Sequence, residues 1–410
     1  MDLKKDALLN TIGNFSYLGA LWLMSVLVVR LGNFEMAGYF SLALTNANIY
    51  IALASYTVRL YYAADLSMRY TDGQYFLMRA ITTFLSIILC ILGAVVIGYN
   101  GYQIQIILLF YLYKVMEMFS DILFGALQRN GKLYLSGYSL VIKSCLSLFG
   151  FAAVLFFTSN LSLALITIDI IAAVVLFCID IPMCKSVRIK LLPFGTGDFI
   201  QAMSIIKVCL PLFIVGLCYN IIPSIPRLTF ERLYSAEQYG IYSSISTLTV
   251  LISTAANCIA VPFVPKFAEY YTKRNKKGLK KITMASMVVV IAFGSCAWLA
   301  AKVCGERVLI LLFGGQMEGY GYVFETVIIA TILTSMIIFL NDFFVAVEKQ
   351  KYLLYGCVTG AIICAVLAAV LCKKYYMNGV AYDLIISQGL EIIILFFGVR
   401  SVLKSIGKER

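Results

Sequence analysis

The sequence predicts an all-α polytopic membrane protein with about twelve transmembrane helices in two six-helix lobes. Three observations predict it: 61% of the 410 residues are hydrophobic, only 13% are charged, and apolar runs of about 20 residues, enough to cross a bilayer, recur along the chain. A soluble domain is about half apolar and a quarter charged. Because lipid cannot satisfy backbone groups and the runs lack the alternation of barrel strands, the spans should be helices.

Twelve spans are predicted in chain order, the first six forming a lobe over 1–200 and the last six a lobe over 201–410. The first apolar run is longer than a signal-peptide core and lacks a cleavage site, so we expect it to be retained. The approximate spans are 8–31, 36–58, 77–98, 103–124, 134–157, 161–181, 204–226, 239–262, 282–302, 323–345, 352–372 and 378–400.

Charge and cysteine patterns narrow the classes of function. Lysine and arginine crowd the alternate connections that share a side with both chain ends, so the positive-inside rule predicts cytoplasmic termini. The net charge of +12 then reflects topology and contact with anionic membrane lipids, and nucleic-acid binding is not expected. With no histidine and 12 cysteines scattered singly through apolar runs, we expect no metal, no cofactor and no disulfide framework.

A short motif that opens the second span returns half a chain later. Glu35-x-x-Gly38-x-Phe40-Ser41 corresponds to Glu237-x-x-Gly240-x-Tyr242-Ser243 at the start of the eighth span. Six spans separate the two copies, which predicts a parallel repeat of the kind found in secondary carriers. Coincidence in an apolar sequence is the alternative.

The two matched spans also carry polar stripes at helical spacing. Such a face should line a cavity or form hydrogen bonds between helices, because it is costly against lipid. On the second span the stripe contains Ser41, Thr45, Asn48, Ser55 and Arg59. On the eighth span it contains Ser243, Thr247, Thr254 and Asn257.

Charged residues inside the spans are the main functional candidates. Lys114, Glu117 and Asp121 share one helical face, as an ion-pair ladder or as a pathway for substrate or ions. Lys143 has no acidic neighbour at helical spacing and needs a partner from another helix or an anionic ligand. Two isolated mid-span carboxylates, Asp169 and Glu391, could bind a coupling cation or pair with a buried lysine. Three arginines near span ends could equally be interfacial anchors: Arg30, Arg59 and Arg227.

Three segments resemble the multidrug/oligosaccharidyl-lipid/polysaccharide superfamily, and within it the Wzx-type flippases for O-antigen or capsule units. They are Ala37-Gly38-Tyr39-Phe40-Ser41-Leu42-Ala43, Tyr239-Gly240-Ile241-Tyr242-Ser243, and Val261-Pro262-Phe263-Val264-Pro265-Lys266-Phe267. The resemblance implies a non-enzymatic flippase in a bacterial cytoplasmic membrane. It would move a polyprenyl-pyrophosphate-linked oligosaccharide to the outer leaflet, driven by a proton or sodium gradient, beside a polysaccharide polymerase and glycosyltransferases.

No motif assigns individual site residues, so they are chosen by position. The candidate substrate-binding residues are Arg30, Arg59, Lys114, Lys143, Arg227, Asn48 and Asn257, and the candidate ion-coupling residues are Glu117, Asp121, Asp169 and Glu391. A drug or metabolite exporter of the same superfamily is the main alternative. The major facilitator fold fits less well because its basic loop after the second span is missing, and a membrane sugar polymerase would need a large outer loop.

Overall fold

The computed structural model describes residues 3–65, 67–187, 189, 195, 197–260 and 263–408. These residues form helices joined by short connections, and none of them forms a strand. In the first half the helices are α1 Leu3–Leu31, α2 Phe34–Ser55, α3 Val58–Ala64, α4 Asp72–Ile97, α5 Gly101–Arg129, α6 Leu133–Thr158, α7 Leu161–Val175 and α8 Ile181–Ser186. They are followed by α9 Asp198–Leu233, α10 Ala236–Ala260, α11 Val264–Thr272, α12 Lys276–Phe313, α13 Gly321–Ala346, α14 Lys351–Tyr375 and α15 Met377–Lys408.

Each predicted span coincides with a long helical segment of the described chain, the sixth being α7 continued by a π-turn and α8. Within the described residues, nine helical segments are long and apolar enough to cross a membrane. The three predicted spans that do not meet this measure are α2, α5 and α10, which carry the polar stripes and the charged triad. The prediction of an all-helical, multi-pass membrane protein is therefore confirmed.

Polar caps mark several helix starts. Thr71 and Gln74 form a reciprocal capping box at α4, and Asn100 and Gln103 form another at α5. Each box satisfies backbone N–H groups that a first helical turn leaves without partners. The Thr71–Gln74 cap places the start of α4 at Asp72, five residues before the predicted third span begins.

The second predicted span is broken near its end. Tyr56 and Thr57 adopt left-handed backbone conformations, with φ of 48° and 55°, which an α-helix cannot contain. Arg59 therefore lies on the separate helix α3. The prediction that it continues the polar stripe of α2 is wrong, because that stripe was drawn on one uninterrupted helix.

By its contacts, the described chain divides into two compact units, Met1–Asn220 and Ile221–Arg410. The division lies within α9, as does the predicted boundary between 200 and 201. In the first unit α1 packs along α6 and α2 along α5; in the second α14 packs along α15 and α12 along α13. The α1–α6 contact is close at its crossing point, where a Cβ added to Gly13 would lie 2.7 Å from the carbonyl oxygen of Gly137.

The connection between α3 and α4 is organised by one carboxylate. Asp65 accepts hydrogen bonds from the backbone N–H groups of Arg69 at 3.0 Å and Tyr70 at 3.1 Å, and from the hydroxyl of Tyr75 at 2.9 Å. Although burial raises the pKa of Asp65, these hydrogen bonds together with that of Ser67 bring the pKa below its ordinary value.

Candidate functional site

A small polar cavity of about 130 Å³ lies inside the first unit. Four helices supply its walls: α1, α3, α5 and α6. The lining residues are Asn14, Tyr17, Arg59, Glu117, Met118, Ser120, Asp121, Phe124, Leu140 and Lys143. Four of the sequence-predicted candidates from this unit therefore meet at one place: Arg59, Glu117, Asp121 and Lys143.

Two arginines share the carboxylate of Asp121. Arg59 donates from Nη1 to Oδ1 at 2.9 Å, and Arg79 donates from Nη2 to Oδ2 at 3.0 Å. Arg79 is fully buried on α4 and also donates to the carbonyl oxygen of Ala54 at 2.6 Å. Asp121 therefore keeps its ion pair with Arg79 when Arg59 binds another anion.

The second ion pair of the triad forms within α5. Lys114 Nζ donates to Glu117 Oε2 at 2.8 Å, and Tyr17 on α1 donates from its hydroxyl to the same oxygen at 2.7 Å. Lys114 also donates to the Tyr17 hydroxyl and lies 5.0 Å from the centre of the Tyr17 ring. Both charges are buried and pair through Glu117 Oε2, whereas Oε1 accepts no hydrogen bond from the described residues. The pair fits the ion-pair ladder more closely than a ligand site.

Lys143 has a partner from another helix, one of the two possibilities left open by the sequence. Its Nζ lies 3.8 Å from Asp180 Oδ2 and donates to Ser120 Oγ at 2.7 Å, while Ser120 donates to Asp180 at 2.6 Å. Ser139 donates to the other oxygen of Asp180. Asp180 is the last residue of the π-turn Leu176–Asp180, a feature that occurs often at functional sites.

The cluster carries an excess of one positive charge, since four cations, Arg59, Arg79, Lys114 and Lys143, meet only the carboxylates of Asp121, Glu117 and Asp180. Accessibility then decides which of them a ligand can reach. The side chains of Arg59 and Asp121 are 26% and 23% exposed, whereas those of Lys143 and Asp180 are 1% and 0% exposed. Arg59 is therefore the cation of this cluster best placed to bind an anion.

The remaining candidates of the first unit lie outside this cavity. Arg30 is exposed at the end of α1, and Asn48 is half-buried on α2. Asp169 is buried on α7, and neither of its carboxylate oxygens accepts a hydrogen bond from a residue that the structure describes.

The polar stripes bond to their own helices. Thr45 donates to the carbonyl of Ser41 at 2.8 Å, and on α10 Thr247 donates to that of Ser243 at 2.7 Å. A hydroxyl satisfied in this way can face an apolar neighbour at little cost. The stripes therefore do not by themselves indicate a water-filled cavity.

The second unit holds three candidates separately. Arg227 on α9 is half-buried and hydrogen bonds to Tyr242. Glu391 is buried on α15, where Gly360 of α14 leaves room for its carboxylate. The side chain of Asn257 lies outside the described residues. Asp383, which the sequence reasoning did not select, is also fully buried on α15 and accepts a hydrogen bond from the thiol of Cys364 at 3.3 Å.

Sequence reasoning also missed two charges of the first cluster, Arg79 and Asp180. Arg79 lies at the start of the predicted third span, 77–98, where a cation is ordinarily interfacial. The Thr71–Gln74 capping signal shows that the helix begins earlier, at Asp72. Asp180 stands near the end of the sixth predicted span, 161–181, and eleven residues of regular α-helix would place it on the face of Asp169. The π-turn between the two residues changes that register. The sequence spacing therefore does not predict where Asp180 lies.

No family model matches this chain, but known proteins resemble it along almost its whole length. The capsular polysaccharide biosynthesis protein CapF of Staphylococcus aureus is 27% identical over 403 residues, covering 94% of this chain and 98% of CapF. The lipid II flippase MurJ, in an inward closed conformation, superposes with a TM-score of 0.74 at 14% identity, covering 97% of this chain and 90% of MurJ. An inward-facing multidrug resistance transporter of the MATE family gives a TM-score of 0.73 at 13% identity, covering 97% and 96%.

Proposed function

We propose that this chain, whose fold is that of the multidrug/oligosaccharidyl-lipid/polysaccharide superfamily of transporters, is a flippase for a polyprenyl-pyrophosphate-linked oligosaccharide. The end-to-end similarity to a capsule biosynthesis protein supports a sugar substrate. The similarity in fold to a lipid II flippase supports a lipid-linked one.

The observation that carries the proposal is the position of Arg59. It reaches the cavity, and its carboxylate partner Asp121 keeps a second arginine, Arg79. Arg59 can therefore exchange an internal carboxylate for a substrate phosphate without leaving a buried charge unmatched. A cavity of about 130 Å³ suits the pyrophosphate group, with sugar and polyprenyl chain outside it.

The finer architecture belongs to the same proposal. We place twelve spans in the membrane, six in each of two lobes, with both termini in the cytoplasm of a bacterium and with transport by alternating access. A sugar polymerase and glycosyltransferases are the partners that this role implies, since they would consume and supply the lipid-linked unit.

Coupling to a proton or sodium gradient is also proposed. Among the four carboxylates chosen from the sequence, Asp169 suits this role best because its buried oxygens accept no hydrogen bond from the described residues. A buried carboxylate in such surroundings is stabilised by taking up a proton or a cation.

An exporter of drugs or metabolites would have the same fold and is the second candidate, supported by the similarity to the MATE transporter. An exported drug that is an organic cation would be disfavoured by the ion-pair cluster around the cavity, which holds four cations and three carboxylates. The charge of the cluster around Arg59 therefore favours the anionic lipid-linked substrate.

The test is flipping of a lipid-linked oligosaccharide in proteoliposomes by Arg59→Ala. Hydrogen bonds to charged groups contribute about 1.5–3 kcal/mol, so we expect substrate binding to weaken by about 10- to 150-fold. Arg69→Ala is the matched control, because Arg69 is exposed and lies outside the cavity. Wild-type flipping by Arg59→Ala, or uptake of organic cations without flipping, would reject the proposal.

A further inference from the structure

A second cavity has no part in the proposed flipping site. It occupies about 520 Å³ in the second unit, between the first turns of α12 and the last turns of α15. Its cations are Lys280 on α12 and Arg400 on α15. Most of the remaining lining is apolar and includes Met284, Ile393 and Phe397, each with about half or more of its side chain exposed.

The cations and the apolar side chains are ordered along the cavity. From Arg400 the lining of α15 runs back through Phe397 to Ile393, a rise of about 10 Å, and on α12 Met284 lies one turn beyond Lys280. Positive charge therefore stands near one end, with Leu403 one turn beyond it, and hydrocarbon fills the other end. This order matches the headgroup and acyl chain of an anionic lipid.

The start of α12 needs an anion for an independent reason. Four lysines, Lys276, Lys277, Lys280 and Lys281, occupy its first two turns, and no acidic residue lies in the first turn. Cations at a helix N-terminus oppose the helix dipole, and like charges three or four residues apart repel. None of the ion pairs in the described part of the chain includes these lysines.

The length of α12 allows this end to lie at the bilayer surface. Its 38 residues span about 57 Å, well beyond a hydrocarbon core of about 30 Å. The part of α15 that carries Arg400 lies beside the start of α12, because Lys280 and Arg400 line the same cavity. A phosphate held between Lys280 and Arg400 would sit at headgroup level while its acyl chain lies against Phe397 and Ile393.

We propose that the cleft between α12 and α15 is a binding site for an anionic phospholipid, with Lys280 and Arg400 holding the headgroup phosphate. The positive-inside rule accounts for the sign of these charges, but it does not require an apolar cleft beneath them. This site is separate from the cavity around Arg59, so it stands whatever substrate the protein carries.

The test uses tryptophan fluorescence of the full chain in liposomes. Trp22→Phe and Trp298→Phe remove the two native tryptophans, and Phe397→Trp places a reporter in the cleft, at a position already 64% exposed. Phosphatidylglycerol with brominated chains quenches a tryptophan that it contacts, and brominated phosphatidylcholine is the neutral comparison. A basic residue near a membrane surface favours an anionic lipid by about fivefold, so we expect phosphatidylglycerol to be preferred by at least that factor.

Lys280→Gln with Arg400→Gln should reduce this preference to less than twofold. The control pair, Lys273→Gln with Lys351→Gln, removes the same charge from residues that do not line the cleft and should leave the preference unchanged. Thermal unfolding of each variant checks that the fold is retained. Equal quenching by both lipids, or a preference that survives the loss of both cleft cations, would overturn the proposal. Displacement of phosphatidylglycerol by a stoichiometric polyprenyl phosphate would also overturn it, assigning the cleft to the substrate lipid.

Discussion

Lys143→Gln should destabilise the protein rather than act on substrate binding alone. The replacement leaves Asp180 charged and fully buried, and among the described residues its donors are then the hydroxyls of Ser120 and Ser139. At 3.8 Å the lost attraction is about 4 kcal/mol for an effective dielectric constant near 20. Breaking one side of a buried pair generally costs about 3–5 kcal/mol. We therefore expect a loss of about 3–5 kcal/mol in the free energy of unfolding.

The assay is unfolding of purified protein in detergent, measured beside flipping in proteoliposomes. Lys143→Gln with Asp180→Asn removes both charges, so it should be less destabilised than the sum of the single variants by about 2–3 kcal/mol. If the two single effects add, the ion pair is not stabilising. If Lys143→Gln unfolds like the wild type and yet does not transport, the lysine binds substrate and does not stabilise the fold.

Two further predictions concern packing and pH. Gly13→Ala should lower the free energy of unfolding by about 1–3 kcal/mol, because the new Cβ would lie 2.7 Å from the carbonyl oxygen of Gly137. Denaturant unfolding measures this loss. Gly19→Ala is the control, because a Cβ added there meets nothing within 4 Å. The depressed pKa of Asp65 stabilises the folded state fully above the ordinary aspartate pKa of about 3.9, and this contribution disappears as the pH falls through the folded pKa. In Asp65→Asn the free energy of unfolding should therefore fall less steeply as the pH is lowered below about 4. An unchanged dependence on pH would show that the hydrogen bonds from Tyr70 and Tyr75 do not stabilise the charged carboxylate.

The sequence was sufficient for the class of fold because hydropathy acts over whole spans. Runs of about 20 apolar residues exclude a soluble domain whatever the details, and the predicted spans coincide with long helices. Local backbone breaks were beyond this reasoning. Tyr56 and Thr57 adopt left-handed conformations, although no glycine or proline at these positions indicates a break in the helix. The sequence therefore predicts Arg59 on the second span, whereas it lies on α3.

The candidate site was predictable in its residue types but not in its pairing. Lys114 and Glu117 lie on one helix, so their spacing alone predicted the contact that the structure contains. Lys143 and Asp180 come from different segments, and their meeting depends on how α5, α6 and the π-turn pack. A single sequence holds no direct record of such contacts, and the pairing of Lys143 was therefore left open.

The π-turn also makes the geometry of the sixth span depend on chain length. In it the N–H of Ile181 bonds to the carbonyl of Leu176, five residues back, so the turn holds one residue more than α-helical spacing requires. Deleting one residue between 176 and 180 would restore that spacing and rotate the flanking segments against each other by about 100°. Such a deletion outside Asp180 would keep every charged residue of the cluster, but Asp180 would no longer face Lys143. At this point in the chain, helical register rather than residue identity determines whether Lys143 meets its counter-ion.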